Sequence, residues 1–153
     1  PPGGYSWTTY VWDFTSDSSR ALSVGGGITL GGLWSGTQRT LDGTVAYKPS
    51  YKFRVSLKVQ RTAAKLDVPV SEFVTTLWTA RTNYSFATNA FLDSLIQYDA
   101  ARGLFNANIR FNFTYRPLSD LFIVYNEQRY ATPENPVPTG RGLIVKFTRM
   151  FAF

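Results

Sequence analysis

The chain has 153 residues, a net charge of +6, and neither cysteine nor histidine. That composition excludes a disulfide framework, thiolate metal sites, His-based catalytic dyads and the commonest metal ligand. Aromatic residues reach 16% and charged residues only 17%, too apolar for disorder; the basic residues stand singly, the pattern of a solvated face rather than a nucleic-acid surface.

The chain opens PPGG, without Met or a signal peptide, and reads as a piece of a longer precursor. The uncharged stretch Ala21–Gln38 has the length of a membrane helix, but glycines interrupt it at Gly25, Gly26, Gly27, Gly31, Gly32 and Gly36. A spanning helix needs about 20 mostly apolar residues, so that reading is rejected. The glycines match neither a dinucleotide nor a phosphate-loop pattern and are expected to relieve curvature or to accommodate a neighbouring aromatic in the wall.

From end to end the pattern has the strand period of two and no helical period. The predicted strands run Tyr5–Thr15, Arg20–Leu33, Gln38–Tyr47, Tyr51–Thr62, Val70–Arg81, Ser85–Tyr98, Phe105–Tyr115, Leu121–Arg129 and Gly142–Phe153. Turn signals separate them: SDSS, WSGT, KPS, AAKLDVP, a tight turn near Asn83, DAARG, RPLSD and YATPENPVPTGR. Counted back from the C-terminus, long and short connections alternate, as in outer-membrane barrels. Phe105–Tyr115 is about 36 Å long at roughly 3.3 Å per residue and rises about 28 Å when tilted by about 40°, near the roughly 25 Å apolar band of such barrels.

Alternation sorts the side chains onto two faces. Phe53, Val55, Leu57, Val59, Phe105, Ile109, Phe111, Phe113 and Phe147 fall on one, expected to meet lipid. Lys52, Arg54, Lys58, Asn106, Asn108, Arg110, Asn112 and Arg116 fall on the other, expected to line a lumen. There hairpin register suggests two ion pairs, Asp42 with Lys58 and Asp93 with Arg110. The final GLIVKFTRMFAF ends on Phe151 and Phe153, like the signal read by outer-membrane assembly machinery. No carboxylate pair has a spacing that singles it out, so neither catalytic residues nor a metal site are assigned.

RTNYSFATNAFLDSLIQYDA, NANIRFNFTYRPLSDLFIVYNEQRY and the terminal GRGLIVKFT together resemble a family of bacterial outer-membrane proteins. In that family a carbohydrate-binding family 9-like module precedes a C-terminal β-barrel. The resemblance covers roughly Ser19 to Phe153 and implies the C-terminal sector of the barrel, with the sugar-binding module absent here.

The expected fold is therefore an all-β, antiparallel, transmembrane up-and-down barrel, or the C-terminal sector of a larger one, with about 8–10 strands in a single domain spanning 1–153. The expected role is membrane anchor or pore in the bacterial outer membrane. Its expected partners are lipid, the barrel assembly machinery and anionic or sugar solutes, with no nucleic acid, no cofactor and no enzymatic activity. The runner-up is a soluble lipocalin-like barrel around a small apolar ligand.

Overall fold

The computed structural model describes residues 6–33, 36–66, 72–131 and 137–150. They form nine strands: β1 (Thr9–Thr15), β2 (Leu22–Leu33), β3 (Gly36–Ser50), β4 (Phe53–Lys65), β5 (Glu72–Ala87), β6 (Ala90–Asp99), β7 (Leu104–Arg116), β8 (Ser119–Tyr130) and β9 (Val137–Phe147). Every strand pairs antiparallel with the next, in the order β1-β2-β3-β4-β5-β6-β7-β8-β9. Period-two segments separated by short turns favour this meander, because each hairpin closes locally at little entropic cost.

Two turn assignments are instructive. The tight turn expected near Asn83 is absent. β5 runs on to Ala87, and the Asn83 amide donates across the strand pair to Asp93 Oδ1 at 2.5 Å instead of bonding its own backbone. The reversal sits at 88–89, where Asn89 Nδ2 donates to Thr114 O at 2.8 Å. Of the connections that lie wholly within the described residues, 16–21 and 100–103 are longer than 51–52, 88–89 and 117–118.

The sheet is not closed. Among the described residues β1 pairs only with β2 and β9 only with β8. An up-and-down meander with an odd number of strands leaves its first and last strands running the same way, so simple antiparallel closure between β1 and β9 is unavailable. This overturns the barrel expectation, both transmembrane and lipocalin-like. The membrane expectations fall with it: the open edges carry unpaired N–H and C=O groups that hydrocarbon does not tolerate. Nothing then supports an outer-membrane location, an anchor or pore role, or partnership with lipid and assembly machinery. No helix among the described residues is long and apolar enough to cross a membrane, a statement about helices alone.

Register places side chains on two faces. One carries Tyr10, Trp12 and Phe14 of β1, Ile28 of β2, Val45 of β3, Leu57 of β4 and Trp78 of β5. It continues through Ile96, Ile109, Ile123 and Val145 of β6 to β9. The opposite face is mainly Thr, Asn, Gln, Asp, Lys and Arg. No second layer covers the apolar face among the described residues: Trp12 is 56% exposed, Phe14 64% and Phe147 64%. The buried residues are small, namely Ala64, Ala90, Ala107, Ser119 and Val124. A sheet stabilised by one layer of side chains lacks the two-layer core on which a domain normally rests.

Candidate functional site

The polar face is held by cross-strand hydrogen bonds. Thr40 and Thr62 hydroxyls meet at 3.1 Å, Thr75 Oγ1 donates to Asp99 Oδ1 at 3.2 Å, and Asn108 Nδ2 donates to Asn126 Oδ1. At the β7–β8 turn Thr114 Oγ1 donates to Asp120 Oδ1 at 2.6 Å. Such pairs stabilise a sheet by about 0.2–1 kcal/mol each. A shallow hollow of about 460 Å³ opens among them, lined by Leu95, Gln97, Asn106, Asn108, Asn126 and Gln128.

The residues singled out in the sequence distribute as follows. Arg54, Lys58, Asn106, Asn108, Arg110 and Asn112 lie on this polar face by register. Lys52 sits in the 51–52 turn, its ammonium 5.7 Å from the Tyr51 ring centre. Arg116 closes the β7–β8 hairpin opposite Ser119. Phe53, Val55, Leu57, Val59, Phe105, Ile109, Phe111, Phe113 and Phe147 share the apolar face. Without closure the polar face bounds no lumen. Phe151 and Phe153 lie outside the described residues.

Of the two ion pairs, Lys58 Nζ and Asp42 Oδ2 lie 4.0 Å apart, a loose surface contact worth little. Asp93 lies directly opposite Arg110 in register, while its carboxylate oxygen Oδ1 accepts from Asn83. Asn112 stands between Phe91 and Phe122 in register, and its buried Oδ1 has no hydrogen-bond partner.

One cluster escaped the sequence reading. At the end of the apolar face, Tyr125 Oη donates to Glu127 Oε2 at 2.8 Å and Arg141 Nη2 donates to Glu127 Oε1 at 3.2 Å. Arg129 lies 3.9 Å from the same carboxylate, and its guanidinium stacks 4.7 Å over the Phe105 ring centre. The hydrogen bond from Tyr125 lowers the Glu127 carboxyl below its ordinary range, partial burial opposes this, and Arg141 then lowers it further. The same bond raises the Tyr125 phenol. These residues bridge β7, β8 and edge strand β9. The signal was present in sequence as Glu127 and Arg141, but pairing them requires the β8–β9 register across 131–136.

No protein-family model matches the chain, and no curated protein or solved structure is significantly similar to it. The resemblance to the outer-membrane family with a carbohydrate-binding family 9-like module is therefore corrected: neither homology nor a closed sheet supports it. The motifs that suggested it are alternating strands and Pro- or Asn-bearing segments, which are common to antiparallel meanders in general.

Chemically, the carboxylates are dispersed or engaged. Asp17 accepts from Ser19 N and Oγ at 2.9 and 2.7 Å, bonds that lower its pKa and tie the β1–β2 turn. Asp99 accepts from Ala101 N at 3.0 Å. Among the described residues no three metal-ligating side chains converge. What stands out is a continuous apolar face and two open edges.

Proposed function

We propose that this chain is a non-catalytic assembly sheet, a structural layer that other protein covers and extends. The observation that carries this reading is the apolar face, which spans all nine strands with no layer packed on it among the described residues. Burying apolar surface is worth about 25 cal/mol per Å², and exposed apolar patches of this breadth mark protein contact sites. The open edges add a second mode of contact, since edge strands template further pairing. The non-catalytic part is supported by the absence of His and Cys from the sequence and by the engaged, separated carboxylates.

Light scattering coupled to size exclusion, over a wide range of protein concentration, tests the reading. Concentration-dependent association is expected, with binding of an apolar dye that falls as association rises. A monodisperse 17.2 kDa monomer that binds no dye would overturn it.

A further inference from the structure

We infer that β1 is a self-recognition edge: two copies of this chain pair antiparallel along Thr9–Thr15, with Trp12 facing Trp12 of the second copy. The inference rests on the assembly reading and names its occupant.

Hydrogen-bond parity comes first. Gly32 N–H donates to Thr8 O at 3.3 Å, and Ser16 N–H donates to Val24 O at 2.8 Å. In an antiparallel pair, residues alternate between bonding toward one neighbour and toward the other. The even positions of β1 therefore bond to β2. Thr9, Val11, Asp13 and Thr15 turn their N–H and C=O groups to the open side, where no strand of the described residues meets them.

A two-fold axis through Trp12 uses those groups fully. It sets Val11 opposite Asp13 and Thr9 opposite Thr15 as hydrogen-bonded pairs, and leaves Trp12 opposite itself as the close, non-bonded pair. Tyr10 then faces Phe14, so aromatic side chains line the junction on the apolar face. All three are exposed, at 58%, 56% and 64% for Tyr10, Trp12 and Phe14. Tyr10 and Trp12 already stack, with ring centres 6.0 Å apart and planes 15° from parallel. Cross-strand aromatic pairs are among the more favourable ones. No like charges fall directly opposite; the two Asp13 carboxylates sit on a diagonal at about 7–8 Å, a small and screened cost.

The other edge is blunted. β9 contains Pro138, which has no N–H to offer, Gly140 and Gly142, which weaken a strand, and Lys146. β1 reads TYVWDFT, with no Pro, Gly or Lys; its single charge, Asp13, lies on the polar face. The isologous pairing also keeps both apolar faces on one side, so the merged sheet presents one wider surface.

The chain lacks cysteine, so Trp12→Cys places a single thiol on the axis, and Ile144→Cys places one on β9 as control. Under mild oxidation Trp12→Cys is expected to give a covalent dimer and Ile144→Cys little. Adding Val11→Pro removes an outward N–H twice per dimer without touching a bond to β2. It should cut the cross-linked yield about tenfold or more, as expected for losing two bonds of about 1 kcal/mol each. In the cysteine-free chain, Trp12→Lys and Trp12→Glu should each dissociate alone and associate when mixed, a rescue that a folding defect would not show. If the unmutated protein associates but Trp12→Cys cross-links no better than Ile144→Cys, β1 is not the contact while the assembly reading stands. If the unmutated protein stays monomeric, both fail.

Discussion

The Tyr125–Glu127–Arg141 cluster is where single side chains most clearly decide local stability. Glu127 accepts from both partners, and its carboxyl is lowered by the Tyr125 bond first and by Arg141 after. A folded-state pKa below the unfolded one means that the charged carboxylate favours the fold above the ordinary carboxylate range. That contribution disappears as pH falls through the folded value. Tyr125 has the opposite sign: its raised phenol pKa adds stability below the ordinary phenol range, lost as pH rises through the folded value. Glu127→Gln should therefore lower the urea midpoint at neutral pH, and its gap from the unmutated protein should close as the solution is acidified. A gap of the same size at every pH would mean that the side chain's charge is irrelevant and only its packing matters. The contribution is modest, because Arg141 is exposed and salt screens its charge.

At the scale of elements, the two-residue turn 117–118 between β7 and β8 is strained. Pro117 suits the first position of such a turn, but Leu118 takes a positive φ of 58°, a left-handed conformation that costs an ordinary residue about 1–2 kcal/mol. Leu118 is 68% exposed, so little packing offsets that cost. Leu118→Gly is expected to raise stability by up to about 1 kcal/mol, part of the strain relief being offset by glycine's extra freedom when unfolded. Gly103, with φ of 61°, is the mirror case, and Gly103→Ala should destabilise by about 1 kcal/mol. Thermal melts of both variants check the pair; equal and null shifts would mean that the turns relax without cost. The turn itself was legible from RPLSD, and so were most strands, because side-chain alternation along Phe53–Val59 or Phe105–Phe113 is a local property of the chain. Closure was not legible. The same alternation describes a barrel wall and an open sheet, and the difference depends on whether β1 and β9 meet, a relation between the two ends of the sheet. The Asn83 turn failed for a related reason: a residue that favours turns found its partner on the next strand, at Asp93. Glu127 and Arg141 were missed because hairpin register across 131–136 is not written in either strand.

For the molecule as a whole, the consequence of an open meander is that packing between strands runs essentially along the sheet, each strand against its sequence neighbours. Among the described residues no second layer ties β1 to β5 or β5 to β9. Stability in such an arrangement is close to a sum of nearest-neighbour terms, as in solenoids. The ends, each held on one side only, open before the middle. Two tryptophans report on the two regimes: Trp12 on edge strand β1 and Trp78 on β5, which is flanked by β4 and β6. In a variant that keeps both, with Trp7 and Trp34 changed to Phe and 5-fluorotryptophan incorporated, urea unfolding at low protein concentration followed by fluorine NMR should give a lower midpoint for Trp12 than for Trp78. Raising the concentration should move the Trp12 midpoint upward and leave Trp78 less affected, because association through β1 binds the folded edge and stabilises it by mass action. Coincident transitions at every concentration would require the nine strands to unfold as one unit. That cooperativity needs a layer joining distant strands, and the apolar face would then have to be covered within the chain itself rather than by assembly.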